Sequence, residues 1–143
     1  MLTKEITPRF SETDALGHIN NNTYGVWFEE ARDDIYKIFM PDVDTKRWKL
    51  VMAHSSYDFL KEVFWGKGVV VKTGIAKIGN SSFELHHAVY QNEKLCTLGK
   101  CILIHYDFTT KVSVKIPDNI RVQLETHLFT EHWPATLEEL ESI

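Results

Sequence analysis

Cysteine is scarce in this chain of 143 residues: only Cys96 and Cys101 occur, alongside just four prolines. The two cysteines fall in one predicted strand, and their odd separation sends the side chains to opposite faces, so no disulfide is expected between them. They also lack the paired spacing of a zinc site, and both read as strand packing residues. No uncharged apolar run is long enough to span a bilayer. The N-terminal Met1-Leu2-Thr3-Lys4-Glu5 has no secretion-signal core, so the expected location is cytoplasmic. Basic residues are outnumbered, 16 against 20, for a formal net charge of −4. That leaves no basic footprint for nucleic acid or an anionic membrane surface. There is no glycine loop of the Walker or dinucleotide kind. His54, His86, His87, His105, His127 and His132 form no ligand motif, so no metal is expected. Repeats, low-complexity tracts and linkers are absent, which makes residues 1–143 a single domain.

What is present is an ordinary globular balance, 43% apolar and 25% charged. From Tyr24 the apolar positions Trp27, Phe28, Ala31, Ile35, Ile38 and Phe39 recur at spacings of three and four, one face of a long helix. Glu29, Glu30, Arg32, Asp33, Asp34 and Lys37 fill its polar side. Asn21 or Asn22 is the expected N-cap, and Pro41 stops the helix. Strands are expected over 2–10, where Pro8 marks an edge or irregular strand, then over 50–64, 69–78, 83–89 and 95–106, with a short extension over 111–116. The connections are too short for crossovers, so neighbouring strands pair antiparallel. A short helix over 118–129 and an acidic peripheral end complete the chain.

One apolar helix and a run of long antiparallel strands imply an α+β fold in which the sheet curls around the helix, the hot-dog arrangement. A single copy leaves a sheet edge open, so a homodimer, or a homotetramer built from dimers, is expected.

The stretch Thr13-Asp14-Ala15-Leu16-Gly17-His18-Ile19-Asn20-Asn21-Asn22-Thr23-Tyr24 carries the chemistry. It sets a lone carboxylate, Asp14, near a helix start, where free N–H groups and the dipole favour developing negative charge. That pairing suits acyl transfer. By itself, however, Asp before a helix is more often a turn or capping residue.

Arg9-Phe10, Glu12-Thr13-Asp14, Gly17-His18-Ile19-Asn20-Asn21, Tyr24 and Phe28-Glu29-Glu30-Ala31-Arg32 together resemble the hot-dog acyl-CoA thioesterases, in particular the hydroxybenzoyl-coenzyme A thioesterase-like group. The specific part of the likeness is 9–32, and the tail after Pro117 matches poorly. The resemblance implies that Asp14 is the catalytic carboxylate and that the Asn21 backbone N–H polarises the thioester carbonyl. Such a donor stabilises the tetrahedral oxyanion. The carboxylate serves as base or nucleophile, and both roles stay open. The substrate would be an acyl-CoA, and coenzyme A arrives with it, so no separate cofactor is called for.

The expected substrate-facing set is Gly17, His18, Tyr24, Ser81 and Ser82. Gly17 is a turn glycine under either reading. His18 reads as a hydrogen-bonded residue orienting the loop ahead of a tunable acid or base. Ser81 and Ser82 would meet the pantetheine arm, although a plain hairpin turn explains them almost as well. Tyr24, Trp27, Phe28, Tyr57 and Phe59 are the candidate acyl lining and favour a fatty or aryl group. Two other readings compete: a hot-dog acyl-thioester hydratase or dehydratase, which resembles an Asp and His split by a proline-containing loop absent here, and a non-catalytic acyl-thioester binder.

Overall fold

The computed structural model describes residues 1–42, 44–129 and 133, and the acidic end expected beyond them lies outside the described residues. Strand β1 (Leu2–Ile6) leads through a turn at Phe10–Glu12 to helices α1 (Thr23–Ala31) and α2 (Asp33–Phe39). Strands β2 (Leu50–Phe59), β3 (Val69–Ile78), β4 (Ser82–Gln91), β5 (Lys94–Asp107) and β6 (Val112–Ser113) follow, then helix α3 (Asp118–Glu125). The sheet order is β1-β3-β4-β5-β2, with β6 beside β5, and every pair is antiparallel. Register shifts at Met52/His54, Ile75/Lys77 and Val89/Tyr90 are bulges that bend the strands. The sheet thereby wraps the helix, and the hot-dog architecture stands as the sequence implies.

Phe83, Leu85, His87 and Val89 of β4 all face inward, as their alternation requires. The expected split of the two cysteines does not hold, because both are buried free thiols in separate core clusters. Pairing jumps from Val89–Thr97 to Tyr90–Leu95, which leaves Cys96 as the bulged residue, and a bulge resets the alternation. Strand β2 stops at Phe59 rather than running to 64, because the Leu60 and Lys61 amides both turn onto the Cys96 carbonyl, each at 2.9 Å. Helix α3 ends at Glu125, short of the expected 129. Beyond it Leu128 bridges Ile75 in parallel and continues the edge of β3 where β1 has run out.

The predicted long helix is interrupted at Arg32. The Arg32 amide is shared between the Phe28 and Glu29 carbonyls, each at 3.1 Å, with φ −85° and ψ 0°. Its side chain, expected on the solvated face, is only 3% exposed. The guanidinium donates from Nε to the Tyr36 hydroxyl (2.9 Å) and from Nη1 to His87 Nε2 (3.3 Å) and Cys101 Sγ (3.7 Å). Arginine can only donate, so His87 Nε2 is the acceptor and Nδ1–H donates to Thr73 Oγ1 at 2.8 Å. Among the described residues no carboxylate pairs with Arg32, and these neutral acceptors carry the charge. This polar layer separates two apolar clusters, one around Tyr24, Trp27 and Phe28 and the other around Ile35, Phe39 and Phe83.

Gly99 of β5 pairs with Tyr57 on one side and His87 on the other. A Cβ on Gly99 would collide with the Phe28 ring, which fills the space the missing side chain leaves. Phe28 is consequently sandwiched between His87 (4.6 Å, 7°) and Tyr57 (5.8 Å, 9°), and Phe59 stacks on Tyr57 (6.0 Å, 5°). Four nearly parallel rings cross the inner face of the sheet. Among the described residues no helix is long and apolar enough to cross a membrane.

Burial foremost, then the neighbouring Arg32 and His86, hold the His87 pKa well below the ordinary histidine value of 6.5. The unfolded chain takes up a proton there that the folded chain refuses. Stability is therefore full above that pH and declines as pH falls below it. Burial also lowers His86 and His127, so their contributions share this sign. Melting temperatures measured at about pH 7.5 and about pH 5.5 should fall with pH, and the drop should shrink in His87→Gln. An equal drop in both proteins would show that His87 is not the neutral group.

Candidate active site

The segment before α1 is a tight hairpin closed by a Thr13–Ile19 bridge. Asp14 makes it with its own atoms. Its amide donates to the His18 carbonyl (2.8 Å), its carbonyl accepts from Gly17 (3.3 Å), and Oδ1 accepts from the amides of Leu16 (2.8 Å) and His18 (3.2 Å). The bland reading of Asp14 as an Asx turn is therefore correct for one carboxylate oxygen. The other, Oδ2, has no hydrogen-bond partner among the described residues. Gly17 sits at φ +78°, a left-handed conformation that side chains disfavour, and this lets the hairpin turn.

Asn22 occupies the N-cap position of α1, but its side chain caps nothing. Asn20 does that work: its Oδ1 accepts from the Asn22 amide (2.9 Å) and its carbonyl accepts from Thr23 (2.9 Å). Among the described residues nothing accepts from the Asn21 amide. The helix start thus presents a free donor at the residue the sequence singles out.

Asp14, His18, Asn21 and Tyr24 meet on one cavity of about 320 Å³, closed on the far side by Phe59 and residues 60–63. The loop after β2 forms that wall, held by the Ile19 amide on the Val63 carbonyl (2.8 Å) and a His18–Phe64 bridge. Tyr24 is buried, and burial pushes its hydroxyl above the ordinary pKa of 10.0, so it stays protonated. Of the proposed acyl lining, Tyr24 and Phe59 reach the cavity, whereas Trp27, Phe28 and Tyr57 pack behind it. Gly17 contributes backbone next to the site, its carbonyl accepting from the Trp65 amide at 3.5 Å. Ser81 and Ser82 do not line the cavity of the same protomer. Ser82 begins β4, and Val89, in line with Thr97 and Phe59 at the cavity end, stands seven residues further on, about 23 Å at a strand's rise.

Two carboxylates escape a sequence reading. Glu12 is only 8% exposed, accepting from the Arg9 amide (2.7 Å) and from Trp27 Nε1–H (3.0 Å), with the Arg9 guanidinium 3.5 Å away. It ties the hairpin to α1, a role that the motif likeness, which includes Glu12, did not assign to it. Glu62 lines the cavity and stands 3.3 Å from His18 Nε2. Nothing local marks it, because the two residues meet only when the loop after β2 folds back.

A curled sheet around a helix whose start faces an anchored carboxylate defines a hot-dog protein. The profile of the Thioesterase-like superfamily matches residues 8–124. The chain belongs to that family, whose chemistry is thioester hydrolysis, and the match runs past Pro117 into α3, further than the motif likeness. A solved structure described as a predicted thioesterase from Bacillus stearothermophilus superposes with a TM-score of 0.89 at 41% identity. It covers 92% of this chain and 98% of that one. A thioesterase from Thermus thermophilus, solved with coenzyme A and Zn, gives a TM-score of 0.78 at 25% identity, over 86% of this chain and 96% of that one. The 1,4-dihydroxy-2-naphthoyl-CoA hydrolase of Nostoc punctiforme is 29% identical over 127 residues, spanning 85% of this chain and 84% of the relative.

Trp27 is buried on α1 and donates to buried Glu12, so Trp27→Ala removes packing and strands a carboxylate. Truncation of a buried aromatic costs about 3–5 kcal/mol. The variant should melt well below the parent, and its residual folded fraction should keep turnover near the parent's. A variant that melts like the parent would mean that the helix face is wrongly assigned.

Proposed function

We propose that this protein hydrolyses an acyl-CoA, carrying a fatty or aryl acyl group, to the free acid and coenzyme A. One observation carries the reading: a pinned carboxylate with a free oxygen and a free amide at a helix start share one cavity, which Tyr24, Phe59 and Leu60 also line. The coenzyme A bound to the Thermus relative and the naphthoyl-CoA substrate of the Nostoc relative support this substrate class.

In this mechanism the thioester carbonyl accepts a hydrogen bond from the Asn21 N–H, reinforced by the positive end of α1, and the donor tightens as the oxygen becomes an oxyanion. Asp14 Oδ2 takes a proton from water or attacks the carbonyl carbon, and the C–S bond then breaks. The two Oδ1 hydrogen bonds fix the carboxylate in place before the substrate arrives, so no reorganisation is needed at the reactive step. The cytoplasm is the proposed compartment, in keeping with two buried free thiols.

A homodimer or homotetramer is proposed as the working form. Strand β2 ends the sheet order, and its partly exposed apolar residues include Met52, Tyr57 and Phe59. An open ten-residue edge of this kind is a template for pairing with a second copy. Sedimentation should give a mass of at least twice the 16.6 kDa chain, and a fully active stable monomer would refute this.

Asp14→Asn tests the chemistry. The amide oxygen can accept from Leu16 and His18 as Oδ1 does, so the hairpin, the melting temperature and the oligomer size should be unchanged. What is lost is the charge, and turnover on the best substrate of an acyl-CoA panel, read as thiol release, should fall by about 10²–10⁴. Apparent affinity should change little. Turnover within about threefold of the parent would leave Asp14 only its turn role.

A further inference from the structure

His18, on the same hairpin as Asp14, and Glu62, on the loop after β2, form a second polar pair on the cavity wall. Glu62 Oε2 lies 3.3 Å from His18 Nε2, and the Glu62 side chain is 62% exposed while that of His18 is 23% exposed. The imidazole is fixed by more than this pair. Its ring stands edge-on to Phe64, with centroids 4.9 Å apart at 84°, and the two backbones form a bridge. The His18 amide donates to Asp14 Oδ1. Its Nδ1 has no hydrogen-bond partner among the described residues. In the neutral ring, a proton on Nε2 is held by the Glu62 carboxylate, which leaves Nδ1 with a lone pair. A base oriented by a carboxylate, beside a carboxylate nucleophile, is the arrangement a two-step acyl transfer requires.

We infer that His18 is the base for the second step of the reaction and that Glu62 is its positioning residue, with Asp14 as the nucleophile. This rests on the hydrolase reading above and deepens it. In the first step Asp14 Oδ2 attacks the acyl carbon, the C–S bond breaks, and coenzyme A leaves as the thiolate with an acyl anhydride left on Asp14. In the second step water gives a proton to His18 Nδ1 while its oxygen bonds to the acyl carbon. The acyl C–O bond to Asp14 then breaks, and the acid leaves, giving its remaining proton to solvent to become a carboxylate. His18 passes its proton to the thiolate or to solvent, which restores the neutral ring and the free carboxylate of Asp14. Lys61, on the same wall, is the nearby cation that meets the departing thiolate or carboxylate.

Rapid-mixing measurement of thiol release from the best acyl-CoA tests this in the full-length parent, Glu62→Gln and His18→Gln. Both substitutions keep the backbone bonds that shape the hairpin, and Glu62 is exposed enough to be changed without loss of folding. Steady turnover should fall by about 10²–10⁴ in His18→Gln and by about tenfold in Glu62→Gln. Each variant should still release a rapid first equivalent of thiol per site, because acylation of Asp14 is untouched. A merely structural role would slow the first turnover as much as later ones. Slowed release without a burst, or turnover equal to the parent's, overturns the inference while leaving the hydrolase reading standing, provided Asp14→Asn is inactive. A parent that releases no thiol from any acyl-CoA overturns both.

Discussion

The seating of Phe28 against Gly99 sets the depth and rotation of the central helix. Strand β5 omits one side chain at the position flanked by Tyr57 and His87, and a helix ring takes the vacant space. A close-packed interior tolerates neither a void nor an extra methyl at such a point, so the contact fixes the helix against slipping. Everything else follows from that seat. Trp27, one residue before Phe28, points to Glu12 and ties the hairpin down. Arg32, one turn later, reaches through the core to His87.

The two buried charges are handled differently. Glu12 has an arginine and two N–H donors, the ordinary solution for a buried carboxylate. Arg32 has only neutral acceptors: a phenol, an imidazole and a thiol. Burial holds Tyr36 and Cys101 above their usual pKa values even with the cation beside them, so both stay protonated. The result is a polar layer that divides the core in two and interrupts the helix at the residue that supplies the charge.

The candidate site is built economically from backbone. One carboxylate oxygen of Asp14 is used to shape the hairpin, and the other is left for chemistry. Asn20 caps the helix, so the Asn21 amide is not consumed by capping. The same polar residues that are usually read as turn and cap signals therefore both build the loop and leave two of its groups unsatisfied. Unsatisfied groups at a cavity are what a reacting carbonyl and water need.

The sequence by itself determined the helix face, the inward residues of β4, the antiparallel pairing of β3, β4 and β5, and the Asp14-to-Asn21 segment with its turn, but not the order that sends β2 to the far edge beside β5. All of these are local, written in periods of two or 3.6 and in the offsets of turn residues. Tertiary structure decided what local pattern cannot express. Arg32 reads as a solvated helix residue until β4 and β5 supply its acceptors. The bulge at Cys96 turns a thiol inward against the strand alternation. The Ser81–Ser82 turn and the cavity are separated by the length of β4, a distance with no trace in the sequence near either. Glu62 joins His18 only because the strand stops at Phe59, where two amides bend onto one carbonyl, and the loop beyond comes back across the helix start.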